Sequence, residues 1–311
     1  MLGVFGEIFY WVFNMSIAAS IAGLVVLLIG RIRRLPRRIA RALWIVPFLR
    51  MWLPVGLGSR YSLMSLLSRF TPLSAKAVVI YEGAESFTMM NSLLTADNYF
   101  PIVYKSDRMQ SLFSIAALIW LVLAAALLLT FFILYFSTTG ELRDAAHWKE
   151  NVYLSDKIAS PAVYGIFRPR ILLPAALAEK DVTWILAHEK AHIRRGDNLW
   201  RMLAFITAAV YWFHPLSWLF LKRFLTETEL ACDECVLARC GESEKKAYAA
   251  ALVDAAADGK AKSAFASAFG GAKIRVRIDR ILSYKKLSLV SSGCFAALAV
   301  AAAAVLLTNV Q

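Results

Sequence analysis

The chain has 311 residues, 59% of them hydrophobic, with 35 Lys and Arg against 22 Asp and Glu, a formal net charge of +13. Soluble domains are usually about 45–50% apolar, so this excess excludes an ordinary water-solvated globule and calls for lipid as a second solvent. The basic balance alone would suit a nucleic-acid binder, but the densest positive charge lies directly against an apolar run. That position fits membrane orientation better, and direct nucleic-acid binding is not expected.

Phe5 to Ile29 is apolar apart from Glu7, Asn14 and small polar residues, and is long enough to cross a bilayer. It has neither a basic n-region nor a small-residue cleavage site, so a retained membrane helix is expected rather than a signal peptide. Arg31, Arg33, Arg34, Arg37, Arg38 and Arg41 follow with no intervening acid, a segment expected to stay cytoplasmic. Leu43 to Leu57 is a second apolar run, weakened by Pro47, Arg50 and Pro54. Residues 1–57 therefore read as two spans joined by a basic inner loop, and 58–110, with balanced charge, as an external loop. Residues 111–136 carry no charge and form the clearest span. Residues 137–286 hold 23 basic and 17 acidic residues and read as a cytoplasmic domain. The final span and a short external tail occupy 287–311. The expected layout is four spans with both termini outside.

Within the inner domain, Asp181 to Asp197 reads as one helix, started by Asp181 and ended by Gly196. It contains His188-Glu189-Lys190-Ala191-His192. Residues four apart share a helix face, so both imidazoles can reach one Zn²⁺, with Glu189 beside it as general base. Met202 to Leu221 is nearly long enough to cross the membrane, which would separate the histidines from any later ligand. His214-Pro215 interrupts it. Two shorter helices at the inner membrane interface are expected, with a buried hairpin as the other reading. Leu225 to Leu237 is a further helical pattern. There Glu229 is expected as the third metal ligand and Asp233, one turn on, as a partner for the far N–H of a ligating imidazole. Asp197 is grouped with Asp233 in that supporting role. Glu227 and Glu234 fall on other faces.

Before the metal helix, Ala162 to Phe167 and Arg170 to Leu173 suggest two small strands, either a substrate-binding edge or a supporting hairpin. Cys232, Cys235, Cys240 and Cys294 all fall late in the chain, and no disulfide framework is expected. Cys232-x-x-Cys235 reads as small helix residues. His147 and His214 read as structural.

These motifs together resemble the BlaR/MecR-type integral-membrane zinc metallopeptidases, a gluzincin-like group of bacterial signal transducers. The resemblance is carried by the S-P…G-I-F-x-P-x-I-x-L-P stretch and by His188-Glu189-x-x-His192 followed by Gly196-Asp197. Trp212-Phe213-x-Pro215-Leu216 and Glu229-Leu230-Ala231-Cys232-Asp233-Glu234 add to it. It implies a mainly α membrane protein with four transmembrane helices and a cytoplasmic zincin-like α+β protease domain bearing a small β-sheet. It further implies a location in the bacterial plasma membrane and a homodimer. The expected substrate is a cytoplasmic peptide or protein such as a transcriptional repressor, cut alongside self-cleavage. The penicillin sensors of the group carry an acylating domain with S-x-x-K, S-D-N and K-T-G. That set is missing before Gln311, so the external loop is expected to do any sensing. For self-cleavage, Ala264–Phe265 and Ala268–Phe269 in a Gly-, Ala- and Ser-rich linker are the expected bonds. A catalytically silent receptor or scaffold of the same fold is the alternative function, disfavoured because zinc binding alone does not require Glu189.

Overall fold

The computed structural model describes residues 2–32, 34–53, 88–91, 100–103, 107–141, 144–158, 160–179, 181–258 and 274–308. Among them, three helices are long and apolar enough to cross a membrane. They are α1 (Leu2–Gly30), α4 (Asp107–Glu141) and α10 (Leu289–Leu307). Most of α4 and α10 turns apolar side chains outward, as expected of helices solvated by lipid rather than by protein. The second predicted span differs. The basic segment leads into a short α2 (Arg37–Leu43) and then α3 (Ile45–Trp52). At about 1.5 Å per residue, the eight residues of α3 fall well short of a hydrocarbon core about 30 Å thick. The rest of that run, and most of 58–110, lies outside the described residues. A two-stranded antiparallel pair, β1 (Thr88–Asn91) and β2 (Phe100–Val103), belongs to the predicted external loop.

The domain after α4 opens with a four-stranded mixed sheet ordered β3-β4-β6-β5: β3 (Ala146–Lys149), β4 (Val152–Ser155), β5 (Ala162–Tyr164) and β6 (Arg170–Pro174). Strands β5 and β6 match the readings at 162–167 and 170–173 up to their ends, with β5 stopping three residues early. Gly165 follows it at φ +90°, a backbone that side chains rarely adopt. The β3–β4 hairpin was not anticipated. Ile171, Leu173 and Val152 form one sheet face and pack against Val182 and Ile185 at the start of α5 (Thr183–Arg194).

Helix α5 begins where the Asp181 carboxylate accepts a hydrogen bond from the Thr183 N–H (3.0 Å). It ends at Gly196, left-handed at φ +61°, which turns the chain directly into α6 (Asp197–Val210). The break at His214 is present. His214 is extended and Pro215 opens α7 (Pro215–Leu237), because proline fixes its own φ and its missing N–H is one a first helical turn would leave unpaired. The α6–α7 hairpin builds the largest core with α1, α2 and α3, through Ala204, Ala208, Tyr211, Phe220 and Phe224 against Met15, Trp44 and Met51. Its polar atoms are satisfied from the same helices: Trp52 Nε1 donates to Thr207 Oγ1 (2.7 Å) and Tyr211 OH to the Met51 carbonyl (2.6 Å). One face of the hairpin is thus buried against α1, α2 and α3, and α7 runs on as a single helix through the predicted ligand segment. A second core, with Val236, Leu237, Tyr248, Leu252 and Ile281, joins α7 to α8 (Glu242–Asp258) and α9 (Ile274–Leu282).

Candidate metal centre

The hairpin brings α7 back alongside α5, and this places Glu229 against the two histidines. His188 Nε2 and His192 Nε2 stand 3.2 Å apart. The Glu229 carboxylate lies 3.4 Å from the first and 3.6 Å from the second. Tetrahedral ligands about 2.0–2.1 Å from a zinc ion would be roughly 3.3 Å from one another; the two imidazole nitrogens have that spacing, and one oxygen of Glu229 lies close to each of them.

The remaining hydrogen bonds select the same atoms. His192 Nδ1 faces Asp197 Oδ2 at 2.9 Å, and His188 Nδ1 faces Asp233 Oδ1 at 3.2 Å and Tyr248 OH at 3.0 Å. A carboxylate accepts only, so each Nδ1 carries a hydrogen and the two Nε2 atoms are left facing each other. Two buried lone pairs face to face are unfavourable unless a cation or a proton sits between them. The donor set therefore fits a divalent ion of the zinc type. Asp197 and Asp233 thus each stand against the Nδ1 of one imidazole.

The electrostatics shows what balances the centre. Burial and Arg277 both push His188 down, yet the carboxylates of Asp233 and Glu229 outweigh them and hold it up at about 9. His192 moves the other way, lowered by burial and by Arg201. Burial would raise Asp233, but Arg277 and His188 hold it at about 2, and Glu229 is likewise driven well below the usual carboxylate range by its imidazole and guanidinium neighbours. Glu189 is buried beside His188, and among the described residues no hydrogen bond or ion pair occupies its carboxylate. A carboxylate beside the two imidazoles that no other side chain ties down is suited to a role that moves protons.

Sequence reasoning missed four groups that touch the histidines, Glu229 or Asp233 directly. Arg277, on α9, makes a two-pronged bond to Asp233 through Nε (2.9 Å) and Nη2 (2.7 Å), and its Nη1 is 3.5 Å from Glu229. Its Nη2 is 3.3 and 3.4 Å from the two His188 nitrogens, so it lies against the ring rather than on the Nε2 lone pair. Arg201, on α6, bonds the other Glu229 oxygen. Tyr248 donates to Asp233, and Cys232 places its sulfur 3.2 Å from both His192 Nδ1 and Asp197 Oδ2. A signal existed for Arg277: it lies four residues before the fully buried Ile281, on the inward stripe of α9.

Glu227 and Glu234 face away and pair with Arg37 and Arg38. Cys232, Cys235, Cys240 and Cys294 are free thiols. His147 bonds the Glu150 carbonyl and His214 bonds Ser20. The linker holding Ala264, Phe265, Ala268 and Phe269 lies outside the described residues.

This centre falls within a match to the BlaR1 peptidase M56 family model that covers residues 10–281. The chain belongs to the BlaR1-type M56 peptidase family. Among M56 relatives it is similar to "Regulatory protein BlaR1" of Bacillus licheniformis, 36% identical over 94 residues, which is 29% of this chain and 16% of that protein. It is also similar to "Methicillin resistance mecR1 protein" of Staphylococcus aureus, 25% identical over 103 residues, 32% of this chain and 18% of that one. A third relative, "Regulatory protein BlaR1" of Staphylococcus aureus, is 25% identical over 113 residues, 34% of this chain and 19% of its own length. The matched segments span less than a fifth of each relative. The M56 assignment, the regulatory relatives and the three membrane-length helices together describe a membrane-associated member of a peptidase family.

Proposed function

We propose that the chain is a multi-pass membrane zinc endopeptidase, with His188, His192 and Glu229 holding the metal and Glu189 acting as general base. The observation that carries this reading is the convergence of two imidazole nitrogens 3.2 Å apart with a carboxylate that has an oxygen within 3.6 Å of each, from residues up to 41 positions apart in sequence, next to the Glu189 carboxylate. When bound, zinc supplies Lewis-acid polarisation of water and of the scissile carbonyl. Glu189 takes the proton from the attacking water and passes it to the departing amine nitrogen as the C–N bond breaks. Asp197 and Asp233 keep each imidazole in the tautomer that exposes Nε2. Arg201 and Arg277 hold the two oxygens of Glu229 and fix its direction.

In this reading residues 137–286 form a zincin-like protease domain on the cytoplasmic face of a bacterial plasma membrane. Helices α1, α4 and α10 supply three of the expected spans, and 58–110 lies outside. The regulatory names of the relatives suit a signal transducer that cuts itself, cuts a transcriptional repressor, or does both. The candidate self-cleavage bonds are Ala264–Phe265 and Ala268–Phe269, and a homodimer is the expected assembly. Glu189→Gln tests the core of the proposal. It is expected to keep one zinc per chain while losing peptide-bond cleavage by about 10²–10⁴-fold. Mass spectrometry of membranes expressing the parent and the variant reads the linker bonds directly. Cleavage that persists in the variant removes Glu189 as base, and identical fragments in both remove self-cleavage at this centre.

A further inference from the structure

The basic segment after α1 looks like an orientation signal, a run of arginines left in water at the lipid boundary. Among the described residues, two of these arginines are instead buried against the domain. Arg37 pairs with Glu227 at 3.1 Å. Arg41, 9% exposed, places Nη2 2.6 Å from Asp197 Oδ1, and Asp197 is 0% exposed. The other oxygen of that same carboxylate holds His192 Nδ1 at 2.9 Å. We infer that Arg41 is a positioning residue of the metal centre, acting through Asp197 to fix the orientation and tautomer of His192. This inference rests on the reading above that His192 is a metal ligand.

The physical case is one of compensation. A fully buried carboxylate is stable only if paired and hydrogen-bonded. Asp197 has two cations in reach, Arg41 at 2.6 Å and Arg195 Nε at 3.7 Å, so Arg41 is the direct partner. The Arg41 guanidinium lies between two rings, 6.0 Å from the centroid of Trp200 and 5.7 Å from that of Phe224. Its buried Nε has no partner, so the Asp197 bond is its principal polar anchor. Removing it would leave Asp197 charged, buried and free to turn, and the imidazole it steadies would turn with it. Arg41 sits in α2, between the membrane helix α1 and α3, so the segment joining them is a structural part of the metal centre.

The test uses the full chain in detergent, with zinc competed against a chelator, cobalt(II) as a spectroscopic probe, and melting as a separate readout. Arg41→Met is expected to weaken zinc about 10–100-fold, the usual cost of losing support for a ligand, and to shift the cobalt absorption bands. Arg41→Lys, which keeps the cation, is expected to fold and to recover most of the affinity. Arg37→Met disturbs the same α2–α7 seam without touching Asp197; it is expected to lower melting but leave zinc affinity within about threefold of the parent. In an Asp197→Asn background, Arg41→Met is expected to cost nothing further. Parent-like affinity in Arg41→Met, equal losses in Arg37→Met, or additive losses in the double variant would each overturn the inference while leaving the metal reading intact. Should Arg41→Met fail to fold, an Arg41→Lys variant with no recovery relative to Asp197→Asn would overturn it equally. A parent chain that binds no zinc defeats the metal reading and this inference with it.

Discussion

Asp233→Asn isolates the side chain on which most of the centre's support meets. Asn is nearly the same size, so no cavity opens. The Oδ1 contacts to Tyr248 (2.5 Å), Arg277 Nη2 (2.7 Å) and His188 Nδ1 (3.2 Å) can persist with a neutral acceptor. The Oδ2 acceptor at 2.9 Å from Arg277 Nε becomes an amide donor facing a donor. One charge-assisted bond is therefore lost and another weakened, each worth about 1.5–3 kcal/mol. That sum agrees with the roughly 3–5 kcal/mol lost when one partner of a buried ion pair is removed. Melting of the chelator-treated protein is expected to fall by about 10 °C. Zinc affinity is expected to fall about 10–100-fold as His188 loses its charged partner. Scanning fluorimetry in detergent and chelator competition measure the two quantities. A variant that melts with the parent and binds zinc equally would refute the assignment of Asp233 as the common anchor of Arg277 and His188.

Two further outcomes are expected. His188 is held up at about 9, so at pH 7.5 the metal-free centre carries a proton that zinc must displace. Calorimetry in buffers of different ionisation enthalpy should count about one proton released per zinc at pH 7.5, declining above pH 9; no release at pH 7.5 would contradict it. The sign for folding follows: this raised group stabilises the metal-free protein fully below about pH 6.5, and that contribution fades as pH rises through 9. In the membrane-side core, a Cβ on Gly23 would collide with the end of the Phe220 ring. Gly23→Ala is expected to cost about 1–3 kcal/mol by overpacking, with Phe220→Leu restoring much of it. A Gly23→Ala chain as stable as the parent would mean α1 and α7 do not pack this closely.

The parts of the centre visible in the sequence are those fixed by local periodicity. His188 and His192 are four apart on one helix, as are Glu229 and Asp233, and Gly196 marks the turn that presents Asp197. The Pro215 break was also legible, because proline acts on its own backbone. What sequence could not give is which charged residues the tertiary fold turns inward. Arg41, Arg201 and Arg277 come from α2, α6 and α9 and meet carboxylates 156, 28 and 44 positions away. As letters they match any solvated arginine. The β3–β4 hairpin escaped for another reason. Its first strand, Ala146–Lys149, is largely exposed, so no alternation of apolar and polar residues marks it.

The arginines also decide what a bound ion's charge can be used for. Around the two imidazoles stand four carboxylates, Glu189, Asp197, Glu229 and Asp233, and four guanidiniums, Arg41, Arg195, Arg201 and Arg277. With neutral imidazoles this set already balances, so the charge of a divalent ion is left uncancelled and available to polarise a substrate. The arrangement should therefore bind metal less tightly than the same ligands would without arginines. Arg201→Met separates the two contributions. A unit cation roughly 5 Å from a divalent ion is repelled by several kcal/mol at an effective dielectric of 20, less because Arg201 is 29% exposed. Losing its grip on Glu229 costs about 1–3 kcal/mol of ligand positioning. Repulsion is the larger effect, so Arg201→Met is expected to bind zinc about tenfold more tightly while cleaving more slowly. Chelator competition reads the first change and peptide turnover the second. Weaker zinc binding in this variant would mean that orientation of Glu229, rather than charge, governs the centre.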